Sequence, residues 1–549
     1  MSGSRGALRR TISGFAVVLS AAGFAVGVLA TTAPSADASP APPAVTDVNP
    51  DSLTAGNLFG GRVVAFAVNP INTQLVFAAS EFGGLWRSTN HGASWSHVDQ
   101  VPLTAMQDVQ IASSDTNLVI ATGAYDGSTD NRGGGIWRST DGGNTWAKAP
   151  GSDLCAPIRR NNARKVAIAP GTPGSLTVLV GTDCGIARST NSGASWTLVN
   201  PPGNNLIWDV DVRQVSGNIQ LNACGDGGFV RSNDGGVTWP TETDWTAATF
   251  PHPSVGSPPA PGNPFAPCRV VSAPQDPNTL FMATRSPVAN PGDGIGETFQ
   301  LESDDGGVNW TNLNVSIDGN GRDPNAIVGP AFDGVATHFE VWFMTDQMTL
   351  HQTCDSTSTP RCGLGAGTNN ACANTNSGSW STYDFDIPHC GTDPGDLALD
   401  PNTGCPFLES GDGGIFATAN GCTNSPTFTN ANAGLHALWI YQAAATAVPA
   451  GSPVNPAPHT SVYYGMQDNG QVCSNNDAGA FHNCGGADVF NTLADRDGPP
   501  SNVLKNQNGG FGLFAEDGTT GAGWTSPTAN RLDAVAQFGF HSYAFITDD

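Results

Sequence analysis

Six acidic side chains stand at nearly one place in a repeating pattern. Asp183, Asp226, Glu297, Asp412 and Asp468 each lie six residues ahead of a Ser or Thr (Ser189, Ser232, Ser303, Thr418, Ser474), and Glu81 lies seven ahead of Ser88. Three chemistries suit oxygens placed in this way. Converging carboxylates can repel one another until one holds its proton while another stays ionised, the division that acid and base catalysis needs. Carboxylates and carbonyls also suit hard cations, so a structural Ca2+ fits the same pattern. Third, the D-G-G of Asp226 and Asp412 and the D-N-G of Asp468 are hairpin-turn sequences, in which the acid satisfies its own turn amides.

The serines that set this offset open an eight-residue box. Ser88 begins S-T-N-H-G-A-S-W, Ser139 S-T-D-G-G-N-T-W, Ser189 S-T-N-S-G-A-S-W, Ser232 S-N-D-G-G-V-T-W and Ser303 S-D-D-G-G-V-N-W. All fit S-x-[DN]-x-G-x-[TSN]-W. The Asp or Asn can accept N–H bonds from the backbone just ahead, and the following Gly takes a left-handed conformation that other residues resist. The Trp is then expected to lie flat against a neighbouring sheet and bury a large apolar area. Each box therefore reads as strand, turn, strand.

Around each box a larger unit repeats. Residues 62–69 (R-V-V-A-F-A-V-N), 75–80, 85–88 and 94–98 read as four short strands. Four strands in about 40 to 50 residues are the signature of a propeller blade. Further units start near Met106, Lys165, Ile207 and Arg269; beyond Trp310 the boxes decay but units continue at 327–332, 396–401, 438–446 and around 490–514, with the start of a tenth at 532–547. The expected fold is an all-β propeller of four-stranded blades, either one ring of about nine to ten or a seven-blade ring plus part of a second. Trp439 and Tyr441, with Trp208 and Trp342, could stack on sugar rings, although aromatics on inner strands also pack blade against blade.

Composition bounds the function. Arg5, Arg9 and Arg10, an apolar run over 15–30 and Ala36-Asp37-Ala38 read as an export signal cleaved after Ala38, followed by an Ala/Pro-rich linker over 39–55 and the propeller over 56–549. The mature chain is expected to be secreted and to carry no membrane span. It keeps 19 basic against 46 acidic residues, a formal charge of −27, which repels nucleic acid and anionic lipid and tolerates cations and neutral sugars. Twelve Cys in an exported chain suggest disulfides. Proximity suggests Cys155 with Cys184, Cys224 with Cys268, Cys354 with Cys362, Cys372 with Cys390, Cys405 with Cys422, and Cys473 with Cys484. No C-x-x-C, H-E-x-x-H, phosphate loop or G-x-S-x-G occurs, so no cofactor and no metal centre is expected beyond the Ca2+ considered above; His389 and Asp393 fit a turn beside Cys390 as well as a metal.

The boxes resemble the Asp-boxes, or bacterial neuraminidase repeats, of sialidases, xyloglucan-hydrolysing glycosidases and sortilin-type receptors. The first unit, G-G-R-V-V-A-F-A-V-N-P with G-G-L-W-R-S-T-N-H-G-A-S-W, and the later D-L-A-L-D-P, G-D-G-G-I-F and Y-G-M-Q-D-N-G are more similar to the xyloglucanase and sortilin branch, over most of residues 56–490. Sialidase chemistry is disfavoured. The Arg-Ile-Pro motif is absent, and Arg87, Arg138, Arg188 and Arg231 share one repeat position before the box instead of forming a carboxylate-binding triad. The resemblance implies a catalytic carboxylate at the second-to-third corner of the first blade, where Glu81 replaces the branch's Asp. Asp396 or Asp468 would then supply a second carboxylate from a later blade. Asp183, Asp226 and Asp412, from the shared corner, and Trp439 and Tyr441, from their rings, are the candidate ligand contacts. Two readings follow: a glycosidase acting on or binding an extracellular glycan, and a non-catalytic scaffold presenting its channel face to a protein or peptide.

Overall fold

The computed structural model describes most of residues 60–514; residues 1–59 and 515–549 lie outside the described residues, as do internal segments of which the longest are 125–133, 245–266, 286–297, 314–323, 364–380 and 384–393. The export signal, the linker and the tenth unit therefore fall outside it, with Glu297, Asp468, Trp439, His389 and Asp393.

Strand chemistry follows from burial on two sides. The first unit comprises β1 (Val63–Val68), β2 (Val76–Ser80), β3 (Gly84–Ser88) and β4 (Ser96–His97), paired antiparallel in sequence order. Successive side chains alternate between faces. Ala65, Ala67, Phe77 and Ala79 pack on one neighbouring sheet, while Val63, Phe66, Val76 and Ala78 pack on the other. Both faces are dry, so β1 is apolar throughout and β2 is apolar up to its last residue, Ser80. The same order recurs in β5–β8, beginning with β5 (Met106–Ala112), and in β9–β12, beginning with β9 (Ala163–Ile168). Next come β13–β16 from β13 (Ile207–Val215), β17–β20 from β17 (Cys268–Ser272), β21–β24 from β21 (Asn325–Pro330) and β25–β28 from β25 (Leu397–Leu399). An eighth four-stranded sheet, β29–β32, starts at β29 (Ile440–Val448), and a three-stranded one, β33–β35, starts at β33 (Val489–Ala494). The chain is a β-propeller.

The ring closes at the seventh blade. Separate apolar clusters fill each interface from blades one and two round to blades six and seven. A further cluster joins blade seven back to blade one, with Ala398, Phe407, Leu408 and Ile415 against Phe66, Trp86 and Trp95. Of the two arrangements expected from sequence, a single ring of nine to ten blades is excluded. The eighth and ninth sheets pack on each other through β29 and β33 instead of entering the ring. Residues 431–438, which lead to them, run along blade one: the Ala437 N–H donates to Gly60 O at 2.9 Å.

The boxes fold as local chemistry dictates, with two additions. Asp141 Oδ1 accepts the N–H groups of Asn144 (3.1 Å) and Thr145 (2.8 Å), Asp234 and Asp305 bind their boxes alike, and Asn90 and Asn191 each accept one such bond. The Ser hydroxyl donates to the same oxygen and accepts the N–H of the box Gly, as at Ser139. The first addition is that the residue before that Gly is left-handed too, even where it carries a side chain, at His91 (φ 60°) and Ser192 (φ 56°). The second concerns the indoles. Trp146 and Trp310 meet Phe77 and Phe229 of the preceding blade edge-on, at interplanar angles of 83° and 75°, instead of lying flat. Five disulfides form as sequence proximity suggested, Cys155–Cys184, Cys224–Cys268, Cys354–Cys362, Cys405–Cys422 and Cys473–Cys484; Cys372 and Cys390 lie outside the described residues.

Candidate functional site

The start of each first strand and the second-to-third corner of the same blade meet at one end of the ring, because the register pairs Val63 with Ser80, Ala163 with Thr182 and Ile207 with Gly225. The boxes occupy the opposite end, where Val76 pairs with Ser88. Glu81, Asp183, Asp226 and Asp412 thus share one face, as their common offset implied, and the first three are each engaged within their own blade. Glu81 lies 3.3 Å from Arg62 Nη1, and its N–H donates to Arg62 O. Asp183 accepts Arg164 Nη2 (2.8 Å) and Nε (3.1 Å) on one oxygen and Asn162 Nδ2 (2.6 Å) on the other. Asp226 Oδ1 accepts the Leu206 N–H at 3.0 Å, while Asp412 is buried in the corner between β26 (Pro406–Gly411) and β27 (Gly414–Ala417). Burial lowers the Arg164 pKa and Asp183 opposes it; the guanidinium also lies 4.0 Å over the Trp208 ring.

Asp396 is not part of this set. Its Oδ2 accepts the Phe66 N–H of blade one at 2.7 Å and its Oδ1 accepts Asn325 Nδ2 of blade six at 3.1 Å. It is one of a series that sequence reasoning missed. Asp108 and Asp209, both buried, accept their own following N–H on Oδ1 and the N–H of Val166 or Val270 on the next blade, at 2.8 Å, on Oδ2. Asn325 holds the same place between blades six and seven, donating to Gly395 O. The available signal was an Asp or Asn inside an apolar strand, as in Met106-Gln107-Asp108-Val109, since a buried acid must find donors. Lys165 Nζ stands 3.7 Å from Asp108 and donates to Val64 O at 3.2 Å, so it spans blades one to three. Burial raises the pKa of Asp396, partly offset by Lys165, and raises that of Asp209 to about 6, partly offset by Arg269.

Beside Glu81 the ring meets the segment leading to β29. A side chain on Gly83 would begin 2.4 Å from Ala437 Cα, and the Trp86 and His436 rings meet edge-on with centroids 6.0 Å apart. Tyr441 lies in β29, four residues beyond Ala437. Among the described residues no group of three or more His, Cys, Asp or Glu could hold a metal ion. No helix there is long and apolar enough to cross a membrane.

Three of the four arginines that share the repeat position before the boxes link one blade to the next. Arg138 Nε donates to Ser192 O at 2.6 Å, Arg188 Nε to Gly235 O at 2.7 Å and Arg231 Nη1 to Gly306 O at 2.7 Å, each in the next blade's box. Arg87 holds the same position in blade one. Blade five carries Glu302 there instead, and it accepts the N–H groups of Arg361 and Cys362. Polarity reverses because blade six offers donors at that seam.

No family model matches the chain. A xyloglucanase from Paenibacillus sp is 25% identical over 284 residues, 46% of this chain and 26% of the relative. A probable oligoxyloglucan-reducing end-specific xyloglucanase from Neosartorya fischeri is 26% identical over 201 residues, 33% of this chain and 23% of the relative. The chain thus matches about a quarter of the length of these curated relatives. Among solved structures, a GH74 enzyme from Niastella koreensis superposes with a TM-score of 0.52 at 17% identity, covering 87% of this chain and 67% of that one. At that identity the likeness establishes the propeller fold.

Proposed function

We propose that this chain is a secreted, Asp-box, glycoside-hydrolase-like propeller that engages an extracellular polysaccharide of the xyloglucan class on its corner face. The observation that carries the reading is the sequence similarity to xyloglucanases. The position of Glu81 supports it: this acid sits at the corner where the ring meets the segment running to the second set of sheets. In hydrolysis Glu81, opposed by Arg62, would act as the ionised carboxylate that activates water. Asp468 would protonate the leaving oxygen, and no cofactor is required. Trp439 and Tyr441 would stack on sugar rings. Asp396 serves the blade seam in this proposal, and Asp183, Asp226 and Asp412 shape the corners.

A second reading is favoured by one observation: Glu81, Asp183 and Asp226 each bond within their own blade, as a non-catalytic scaffold for a protein or peptide requires. Reducing-sugar release from xyloglucan, measured beside retention of the protein in xyloglucan-containing native gels, separates the two. The expected outcome is sugar release that falls about 100-fold or more in Glu81→Gln, with retention unchanged. Retention without release would leave binding alone, and neither signal would remove the polysaccharide proposal.

A further inference from the structure

Blades four and five meet across an unusual polar layer. Arg213, on β13, is 5% exposed, and its Nε donates to Gln220 Oε1 at 2.7 Å, but its enclosed Nη1 finds no acceptor among the described residues. Leaving a buried guanidinium proton unmatched is costly. A second guanidinium is close by. A side chain on Gly306 would begin 2.5 Å from Arg231 Nη1 and 3.0 Å from Arg213 Nη2, so both cations crowd the same box. At the two preceding seams the single arginine reaches the box carbonyl through Nε, whereas Arg231 does so through Nη1. The acids whose fields reach Arg213 are committed elsewhere. Asp211 accepts the Ser272 hydroxyl and Asn222 Nδ2, while Asp276 accepts Thr279 Oγ1 and pairs with Arg361 at 3.4 Å. Burial and the like charge of Arg231 bring the Arg213 pKa down to about 10.

We propose that blades four and five enclose a site for a small inorganic anion of chloride size, held by Arg213 Nη1 and the adjoining Arg231 guanidinium. A small anion beside the two crowded guanidiniums both eases their mutual repulsion and accepts the unmatched Arg213 proton. The anion would fasten the seam and has no part in the corner face, so this inference stands apart from the polysaccharide reading.

Bromide is the probe. Thermal midpoints of the full chain are compared in sodium bromide and sodium gluconate at equal ionic strength, and crystals grown in bromide are measured at its absorption edge. The expected result is an anomalous peak within about 3.5 Å of Arg213 Nη1. The midpoint should also rise about 1–3 °C per tenfold bromide above the dissociation constant, an increment that Arg213→Gln removes. If that variant does not fold, the wild-type peak and titration decide. An ordered water without anomalous signal, a peak with no effect in solution (an adventitious ion only), or an equal bromide response in folded Arg213→Gln would overturn the proposal.

Discussion

Replacing Asp396 by Ala distinguishes a seam residue from a catalytic one. The carboxylate receives the Phe66 N–H of blade one and Asn325 Nδ2 of blade six, so it ties together three blades at the closure of the ring. Removing it leaves the Phe66 N–H without an acceptor, a loss of about 1–3 kcal/mol. Asn325 keeps Gly395 O, so its share is roughly 0.5–1.5 kcal/mol. Asp396 retains a partly exposed edge where water can enter. The expected total is therefore about 2–3 kcal/mol, or roughly 2–4 °C in thermal midpoint. Asp108→Ala is the internal reference. It strands the N–H groups of Val109 and Val166 and removes the acid partner of Lys165 in a buried setting, so its midpoint should fall further. Circular dichroism melts and reducing-sugar assays on the same preparations give both readouts. An Asp396→Ala protein that melts within about 1 °C of wild type while losing 100-fold or more of its sugar release would refute the seam role and put the carboxylate on substrate.

Stability should peak at mildly acid pH. Asp209 has a folded pKa raised to about 6, chiefly by burial, so its protonated form is favoured in the fold; its contribution is full below the unfolded value near 4 and is lost as pH rises through 6. Asp141, lowered to about 2 chiefly by the Thr145 hydroxyl, contributes above about 4 and loses that contribution as pH falls through 2. Denaturation midpoints measured from pH 3 to 8 should show a maximum near 4 to 5, and a monotonic rise to neutrality would contradict the sign. Gly143→Ala should destabilise more than Gly142→Ala, by about 1–3 kcal/mol in urea titrations. Both positions are left-handed, but only at Gly143 would the new Cβ begin 2.1 Å from the Phe77 ring, so equal losses would locate the whole effect in backbone strain. Glu302→Arg should cost about 2–4 kcal/mol, because it sets a donor against the Arg361 and Cys362 N–H groups; a neutral result would show that the blade five to six seam does not need an acceptor.

Much of this molecule was legible from sequence because its repeating parts are local. A box closes through bonds that span at most four residues, so the types at Ser139, Asp141 and Gly143 carry their own geometry. Strands buried on both faces are largely apolar, and cysteines near in sequence could be paired by proximity. The shared face of Glu81, Asp183, Asp226 and Asp412 followed from an offset of six or seven residues within a repeated unit. The seams were not legible. Each depends on groups far apart in the chain, such as Phe66 with Asp396, Trp95 with Ala431, and Val63 O with the Ser410 hydroxyl, and no local pattern states how many blades bring such ends together. Asp396 looked like a candidate for chemistry because its sequence shows an acid but not the donors around it. Sequence thus determined the blade and its turn, whose energetics are settled within a few residues. Only the tertiary structure decided that seven of them close, because closure is a property of the last interface and of the acids and indoles that meet across it.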